Sequence, residues 1–356
     1  MAFTAVTLRD VAKHAGVHPG TASRALNSRT RALVNEATAK KVLEAARELG
    51  YRPNPIARGL KTNRSETIGV LIPDLTNPLF PPIVRGIEDR LREEGYTALL
   101  ANSDNDPTKE RLLFETMSDR QVEGFILATA DREDPLVEDA LAARVPIVMV
   151  NRTIETAIAF AVVGRDRGGS QLAVSHLVGL GHTRIGHIGG PERFSTGKAR
   201  YEGFVAAMEG AGLEADRRLI GFGEAFTEDE GARVCRELLA ADNSMTAIVA
   251  GNDLLALGCY DVFAEEGLRC PENISVIGYN DMPFIDKLRP PLSTIRIPHY
   301  EIGWNAADLL LLRISDPDAS PRTVFLEPEL VVRASTGPPP QPLSGTARSA
   351  AAGSAT

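Results

Sequence analysis

Residues 7–27 read T-L-R-D-V-A-K-H-A-G-V-H-P-G-T-A-S-R-A-L-N. Thr7 stands three residues before Asp10, close to the spacing of a capping box, which starts a helix at Leu8. Leu8, Val11, Ala12 and Ala15 then fall on one face at helical spacing. Gly16 stops this helix and supplies a residue that tolerates a left-handed turn. Val17 tucks back toward the core. Pro19 suits the first position of a second helix, because its missing N–H would have no partner there. That helix is expected over 19–26, with Ala22, Ala25 and Leu26 inward and Gly20, Thr21, Ser23 and Arg24 outward. Two short helices about a tight turn, the second with a polar outer face, form a unit suited to a DNA groove.

A third helix follows, capped by Asn35 and running to about Leu49, with Ala39, Val42, Leu43, Ala46 and Leu49 on its apolar side. Gly50 ends it. Its Lys40, Lys41 and Arg47 read as a solvated face. Beyond it, residues 54–61 read N-P-I-A-R-G-L-K. Asn54 can cap and Pro55 can start a short helix. Eight residues do not hold a helix alone in water, and Gly59 costs about 1 kcal/mol more. This hinge is expected to fold only on DNA, against a second copy.

Charge separates this head from the rest. The chain has 356 residues and a formal net charge of −8. Residues 1–65 carry 12 Lys and Arg against 4 Asp and Glu, a charge of +8 that leaves −16 for the remainder. A basic head on an acidic body implies that only the head meets a polyanion. The length suggests two or three domains. The three cysteines, Cys235, Cys259 and Cys270, form no metal-ligand spacing and fit a reducing cytoplasm. The start shows no signal peptide, and no apolar run approaches the ~20 residues that span a bilayer.

From residue 67 the pattern becomes short apolar runs alternating with helical stretches. Strands are expected at 67–72, 97–102, 124–128, 147–150, 161–163, 185–188, 219–222, 247–250 and 274–279. Helices are expected at 82–95, 109–121, 136–143, 171–180, 200–212, 229–241 and 254–266. Two such series imply two doubly wound parallel-sheet subdomains with a cleft between them. The segment 293–299 leads into an amphipathic helix over 300–313, and 323–325 and 330–333 close the sheets. The N-part is expected at 66–165 plus 297–322, the C-part at 166–296 plus 323–337. Residues 338–356, rich in Pro, Ser, Ala and Gly, read as a disordered tail without leucine heptads.

Ligands in such sheets bind at the carboxyl ends of strands. That rule selects Asp74 and the segment Asn77-Pro78-Leu79-Phe80 after the first strand, and Asn151 and Arg152 after the fourth. It adds Asp166, Asn252, Asp253, Asn280 and Asp281. Amides, carboxylates and a guanidinium at one cleft suit a polyol, whose hydroxyls both donate and accept. Phe80, Phe194 and Phe226 can stack on a sugar ring or belong to the core. Asp253 precedes an apolar helix and reads as its cap. The glycine-rich stretches G-H-I-G-G-P and V-V-G-R-D-R-G-G-S match no phosphate-loop pattern. His176, His182 and His187 lack metal spacing and read as structural. No nucleophile has a base beside it. The residues therefore indicate no enzyme, no cofactor and no metal.

The head, its continuation E-L-G-Y-R-P-N-P-I-A-R-G-L-K, and the body segments T-I-G-V-L-I-P-D, L-G-H-T-R-I-G-H-I-G-G-P, A-G-N-D-L-L-A-L-G and I-S-V-I-G-Y-N-D together resemble the lactose-repressor (LacI/GalR) family of bacterial transcription regulators. The resemblance runs in collinear order over about 7–336. It implies an all-α helix-turn-helix domain (1–53), a hinge (54–65) and an effector-binding, dimerising body of periplasmic-binding-protein type (66–337). It implies a cytoplasmic homodimer, without membrane, on a roughly palindromic double-stranded operator, read as a repressor under a small-molecule effector such as a sugar. DNA contacts would then fall on His18, Pro19, Gly20, Thr21, Ser23, Arg24 and Asn27, and on the hinge residues Ala57, Leu60 and Lys61. The residue matching Leu60 wedges between base pairs in the family. Arg200, in A-R-Y-E-G-F, matches an effector-clamping arginine, with a structural salt bridge as the other reading. Asp166 and Asn252 match polar effector contacts.

Two departures stand out. Pro19 and Gly20 occupy positions that often read bases, yet offer no side-chain hydrogen bond. Base choice should then fall on Arg24, with His18 and Thr21. Asn280 stands where a carboxylate often grips the sugar. A sugar-binding transport component would share the body, but the basic head and the missing signal peptide count against it.

Overall fold

The computed structural model describes residues 6–27, 30–51, 64–155 and 159–340. The chain divides into two compact units, Met1–Glu66 and Thr67–Thr356. In the first, α1 spans Leu8–His14, α2 Pro19–Leu26 and α3 Glu36–Glu48. The capping box forms: Asp10 N–H donates to Thr7 Oγ1 at 3.4 Å and Thr7 N–H to Asp10 Oδ2 at 2.9 Å. Gly16 takes φ +66° in the turn, a conformation that would strain a residue with a side chain. Val11, Ala12, Ala22, Ala25, Ala39, Val42, Ala45 and Ala46 make the core. One expectation fails here. Leu43 is exposed and Ala45 is buried in its place. A 3-10 turn at Arg31–Leu33 also appears, and Arg31 Nε donates to the Ala25 carbonyl at 2.9 Å. The hinge residues Ala57, Leu60 and Lys61 lie outside the described residues.

The second unit holds two six-stranded sheets. The first contains β1 Thr67–Ile72, β2 Thr97–Asn102, β3 Phe125–Leu127, β4 Ile147–Val150, β5 Ala161–Gly164 and β11 Thr323–Leu326, in the order β11-β5-β4-β3-β1-β2. The second contains β6 Ile185–Gly189, β7 Ile220–Phe222, β8 Ala247–Ala250, β9 Ser275–Asn280, β10 Ser293–Arg296 and β12 Glu329–Val331, in the order β12-β10-β9-β8-β6-β7. Apart from Thr67 at the start of β1, the strands β1, β4, β8 and β9 are buried throughout, as parallel strands covered by helices on both faces must be. The only antiparallel pair among them is β10 with β12.

Two readings are corrected by this topology. Residues 293–296 form β10, a full member of the second sheet rather than a lead-in to a helix. Residues 323–326 pair with β5, so they belong to the first sheet and not to the C-part.

The helices of the body are α4 Phe80–Glu93, α5 Pro107–Asp119, α6 Pro135–Ala142, α7 Asp166–Gly179, α8 Ser195–Gly210, α9 Glu228–Ala241, α10 Asp253–Glu265 and α11 His299–Ser315. Helix α7 starts five residues before the expected boundary. Gly169 lies inside it and is there for space: a Cβ would sit 2.2 Å from Tyr279 Oη. Helices α4 and α11 cross at two facing glycines. A Cβ on Gly86 would meet the Tyr300 carbonyl oxygen at 2.1 Å, and one on Gly303 the Ile83 carbonyl oxygen at 1.9 Å.

The chain passes between the two sheets three times: after β5, after β10 and after β11. The passages lie side by side. Arg165 N–H donates to the Leu326 carbonyl at 3.0 Å and its guanidinium pairs with Glu327, while Arg296 sits opposite Glu329 in the β10–β12 ladder. The end of the described chain is also held down. His182 bonds the Gly337 carbonyl at 2.8 Å, His176 bonds Thr336 Oγ1 at 2.9 Å, and Ser335 is fully buried. His187 bonds the Val249 carbonyl at 2.9 Å inside the second sheet. All three histidines thus have structural partners.

Candidate functional site

Between the carboxyl ends of the two sheets lies a narrow cavity of about 80 Å³. From the first sheet it is walled by Asp74 after β1, Leu79 and Phe80 at the start of α4, and Asn151 and Arg152 after β4. From the second it is walled by Phe194 and Arg200 on the α8 side, Phe226 after β7, Asn252 after β8 and Asn280 after β9. Ten of the eleven residues expected at an effector site therefore come together. The eleventh, Asp166, does not face the cavity.

Asp166 instead sits behind Arg200. Arg200 is only 3% exposed, and each of its three guanidinium nitrogens donates one hydrogen bond. Its Nε donates to Asp166 Oδ1 at 2.7 Å, Nη1 to the Gly251 carbonyl at 2.7 Å and Nη2 to Asn280 Oδ1 at 3.3 Å. The Tyr279 ring lies 3.8 Å beneath it. Burial pushes the Asp166 carboxyl up, and the Arg200 charge pulls it back down. The salt bridge expected of Arg200 is present, and the same side chain lines the cavity.

The cap role falls on Asn252, which also lines the cavity, and not on Asp253. Asn252 is the helix cap: its Oδ1 accepts from Leu255 N–H at 2.8 Å. Asp253, fully buried, accepts from Thr294 Oγ1 at 2.6 Å and from Met282 N–H at 2.8 Å, tying α10 to β10 and to the loop after β9. Burial raises its pKa to about 7. A folded pKa above the ordinary carboxylate value means stability present below about pH 4 and lost as pH climbs through 7. Asp253→Asn is expected to flatten this component. In thermal melts the variant should fall below the parent at pH 5 and close the gap by pH 8; parallel curves at both pH values would refute the assignment.

Arg152 is 5% exposed and lies 3.5 Å from the centre of the Phe194 ring. Its Nη1 reaches the Thr129 carbonyl at 3.4 Å, and burial lowers its pKa to about 9. Arg193 stacks on the same ring at 4.4 Å. Asn77, Asn105, Arg193, Thr196, Ala225 and Thr227 also line the cavity. Of these only Asn77 was within a stretch the sequence singled out. The others sit in loops or first helical turns, where no periodicity marks them.

In the head, His18 caps α2 with its own ring: Gly20 N–H donates to Nδ1 at 3.1 Å. Pro19 and His18 are exposed, and Gly20, Thr21, Ser23 and Asn27 are half-buried. Arg24 is exposed and its Nε donates back to the Gly20 carbonyl at 3.2 Å, which lays the guanidinium along the outer face of α2. Among the described residues no His, Cys, Asp and Glu group is arranged to hold a metal, and no helix is long and apolar enough to cross a membrane.

Comparison with known proteins gives two matches along the chain. Residues 7–54 match bacterial regulatory proteins of the lacI family, and residues 174–336 a periplasmic binding protein-like domain. The HTH-type transcriptional repressor PurR of Photobacterium profundum is 34% identical over 331 residues, 92% of this chain and 98% of that protein. Among solved structures, a lac repressor dimer bound to operator and the anti-inducer ONPF superposes with a TM-score of 0.83 at 27% identity, covering 94% of this chain and 100% of that one. A complex of the transcriptional regulator CelR with cellobiose superposes with a TM-score of 0.72 at 31% identity, covering 93% and 99%.

Proposed function

Because the chain belongs to the lacI family of bacterial regulatory proteins, we propose that it is a cytoplasmic repressor that binds a palindromic operator as a homodimer and answers to a polyol effector in the cleft. The observation that carries the reading is one chain holding both a helix-turn-helix head and a cleft walled by amides, guanidiniums and aromatic rings. The operator-bound dimer and the cellobiose complex among its structural neighbours support the two halves separately.

In this reading α2 enters the major groove and positions its polar face with Thr21, Ser23, Arg24 and Asn27. His18 and Pro19 set the start of the helix, and Gly20 lets the backbone approach. Residues 54–65 form the hinge, where Leu60 wedges into the minor groove beside Ala57 and Lys61. The second copy docks on the first sheet. Its outermost strand, β2, is an edge, and Leu75 and Leu100 are exposed beside Pro81 and Val84. Phe284, 77% exposed with φ +75° in the turn after β9, offers a second anchor. The effector contacts Asp74, Leu79, Phe80, Asn151, Arg152, Phe194, Arg200, Phe226, Asn252 and Asn280, with Asp166 orienting Arg200. It shifts the balance between open and closed clefts, and the head pair feels that shift through the hinges.

Selection of bound genomic fragments tests the first half. An inverted repeat is expected; bound fragments without one would sink the operator reading. Arg24→Ala should weaken binding by roughly 1–3 kcal/mol and relax base preference at one position per half-site, as loss of a bidentate guanine contact does. A gel-shift titration with sugars tests the second half: operator affinity must change with ligand.

A further inference from the structure

The charges that wall the cleft are unbalanced, and one of them has no carboxylate in contact. Three guanidiniums line it, Arg152, Arg193 and Arg200, against one carboxylate, Asp74. Arg200 is neutralised from behind by Asp166. Arg193 has Asp131 at 3.9 Å. Arg152 differs from both. It is 95% buried, its Nε has no hydrogen-bond partner among the described residues, and its Nη1 makes only a long bond, 3.4 Å, to the Thr129 carbonyl. Asp131 and Glu110 act on its charge without forming an ion pair with it. A buried cation with no carboxylate in contact is costly, and a ligand that supplies one offsets that cost.

A second feature points to the same place. Phe194 is flanked by Arg152 and Arg193 and is itself the N-cap residue of α8. That helix has 16 residues and begins without a side-chain cap, so its first N–H groups and its positive end meet the cavity at Thr196. The positions after β4 and β9 that face the cavity are amides, Asn151 and Asn280, which do not repel an anion.

We propose that the effector is an anionic polyol, carrying a carboxylate or phosphate that Arg152 and the start of α8 hold beside Phe194, with the amides on its hydroxyls. This rests on the reading of the cleft as an effector site and narrows its ligand class. A charge-assisted bidentate contact distinguishes such a ligand from its neutral parent by about tenfold or more in affinity.

The test is calorimetric titration of the full-length protein with matched probes: D-glucose, D-gluconate and D-glucose 6-phosphate, and D-ribose with D-ribose 5-phosphate. At least one anionic member should bind about tenfold tighter than its neutral partner, and the gap should narrow in high salt. Which anion does so separates the carboxylate from the phosphate. Arg152→Gln should erase the gap, and Arg152→Lys should keep part of it. Should Arg152→Gln fail to fold, Arg193→Gln, on a half-exposed side chain, should still narrow the gap. A neutral sugar binding as tightly as its acid would overturn the anion assignment and leave the effector site standing. Silence from every probe would remove both.

Discussion

Arg200→Ala should cost about 3–5 kcal/mol of stability and abolish any response to ligand. The substitution leaves the Asp166 carboxylate buried without its 2.7 Å partner, and removing one member of a buried pair costs that much because the other charge is stranded. It also frees the Gly251 carbonyl and the Asn280 amide, both bonded by the same guanidinium. The pH dependence has a definite sign. Burial already holds the Asp166 carboxyl above its ordinary value, and Arg200 is what pulls it down. Without Arg200 the folded state takes up a proton that the unfolded state releases, so the variant's stability is retained in acid and lost as pH rises. Urea unfolding at pH 5 and pH 8 should show the gap from the parent widening with pH. Adding Asp166→Asn should recover part of the loss. A single variant as stable as the parent at pH 8 would mean that the pair is not the strut the geometry describes.

Gly303→Ala should be almost as damaging, about 3 kcal/mol, the upper part of the range for overpacking. The new methyl would sit 1.9 Å from the Ile83 carbonyl oxygen and 3.0 Å from the Ile87 nitrogen. Those atoms are main chain, which cannot swing aside as a side chain would. Helix α11 must therefore move off α4, and α4 carries Phe80, a wall of the cleft, at its first position. Ligand affinity should fall along with the denaturation midpoint. A midpoint within about 1 kcal/mol of the parent would show that the two helices separate at little cost.

Much of this architecture can be read from the residues themselves. The strands of the two sheets are short continuous apolar runs, because parallel strands under helices are buried on both sides. The head announces itself through Thr7, Asp10, Gly16, Pro19 and Asn35, each a local signal that needs no partner elsewhere. The misses have a common cause in distance along the chain. Strand β11 pairs with β5 some 160 residues away, and nothing in T-V-F-L says which sheet will take it. The four residues of β10, set between prolines, are too few for a period. The buried roles of Asp166 and Asp253 depend on Arg200 and Thr294, partners that only the fold brings near. The cleft was legible where a strand end pointed to it. Asn105, Arg193, Thr196 and Thr227 were not, since each reaches it from a loop or a first helical turn.

The three side-by-side passages between the sheets limit how the body can move. A single linker would let two halves tumble about each other in any direction. Three linkers in a row, joined by the Arg165 pairing and the β10–β12 ladder, resist both twist and slide. What remains is one angular coordinate, rotation about the line through the three passages. Asn280 faces the cleft, and its neighbour Asp281 pairs with Arg296 at 2.7 Å and Arg333 at 2.6 Å beside that line. Ligands of quite different shape would then be reported to the rest of the molecule as a single number, the angle at which they hold the two halves.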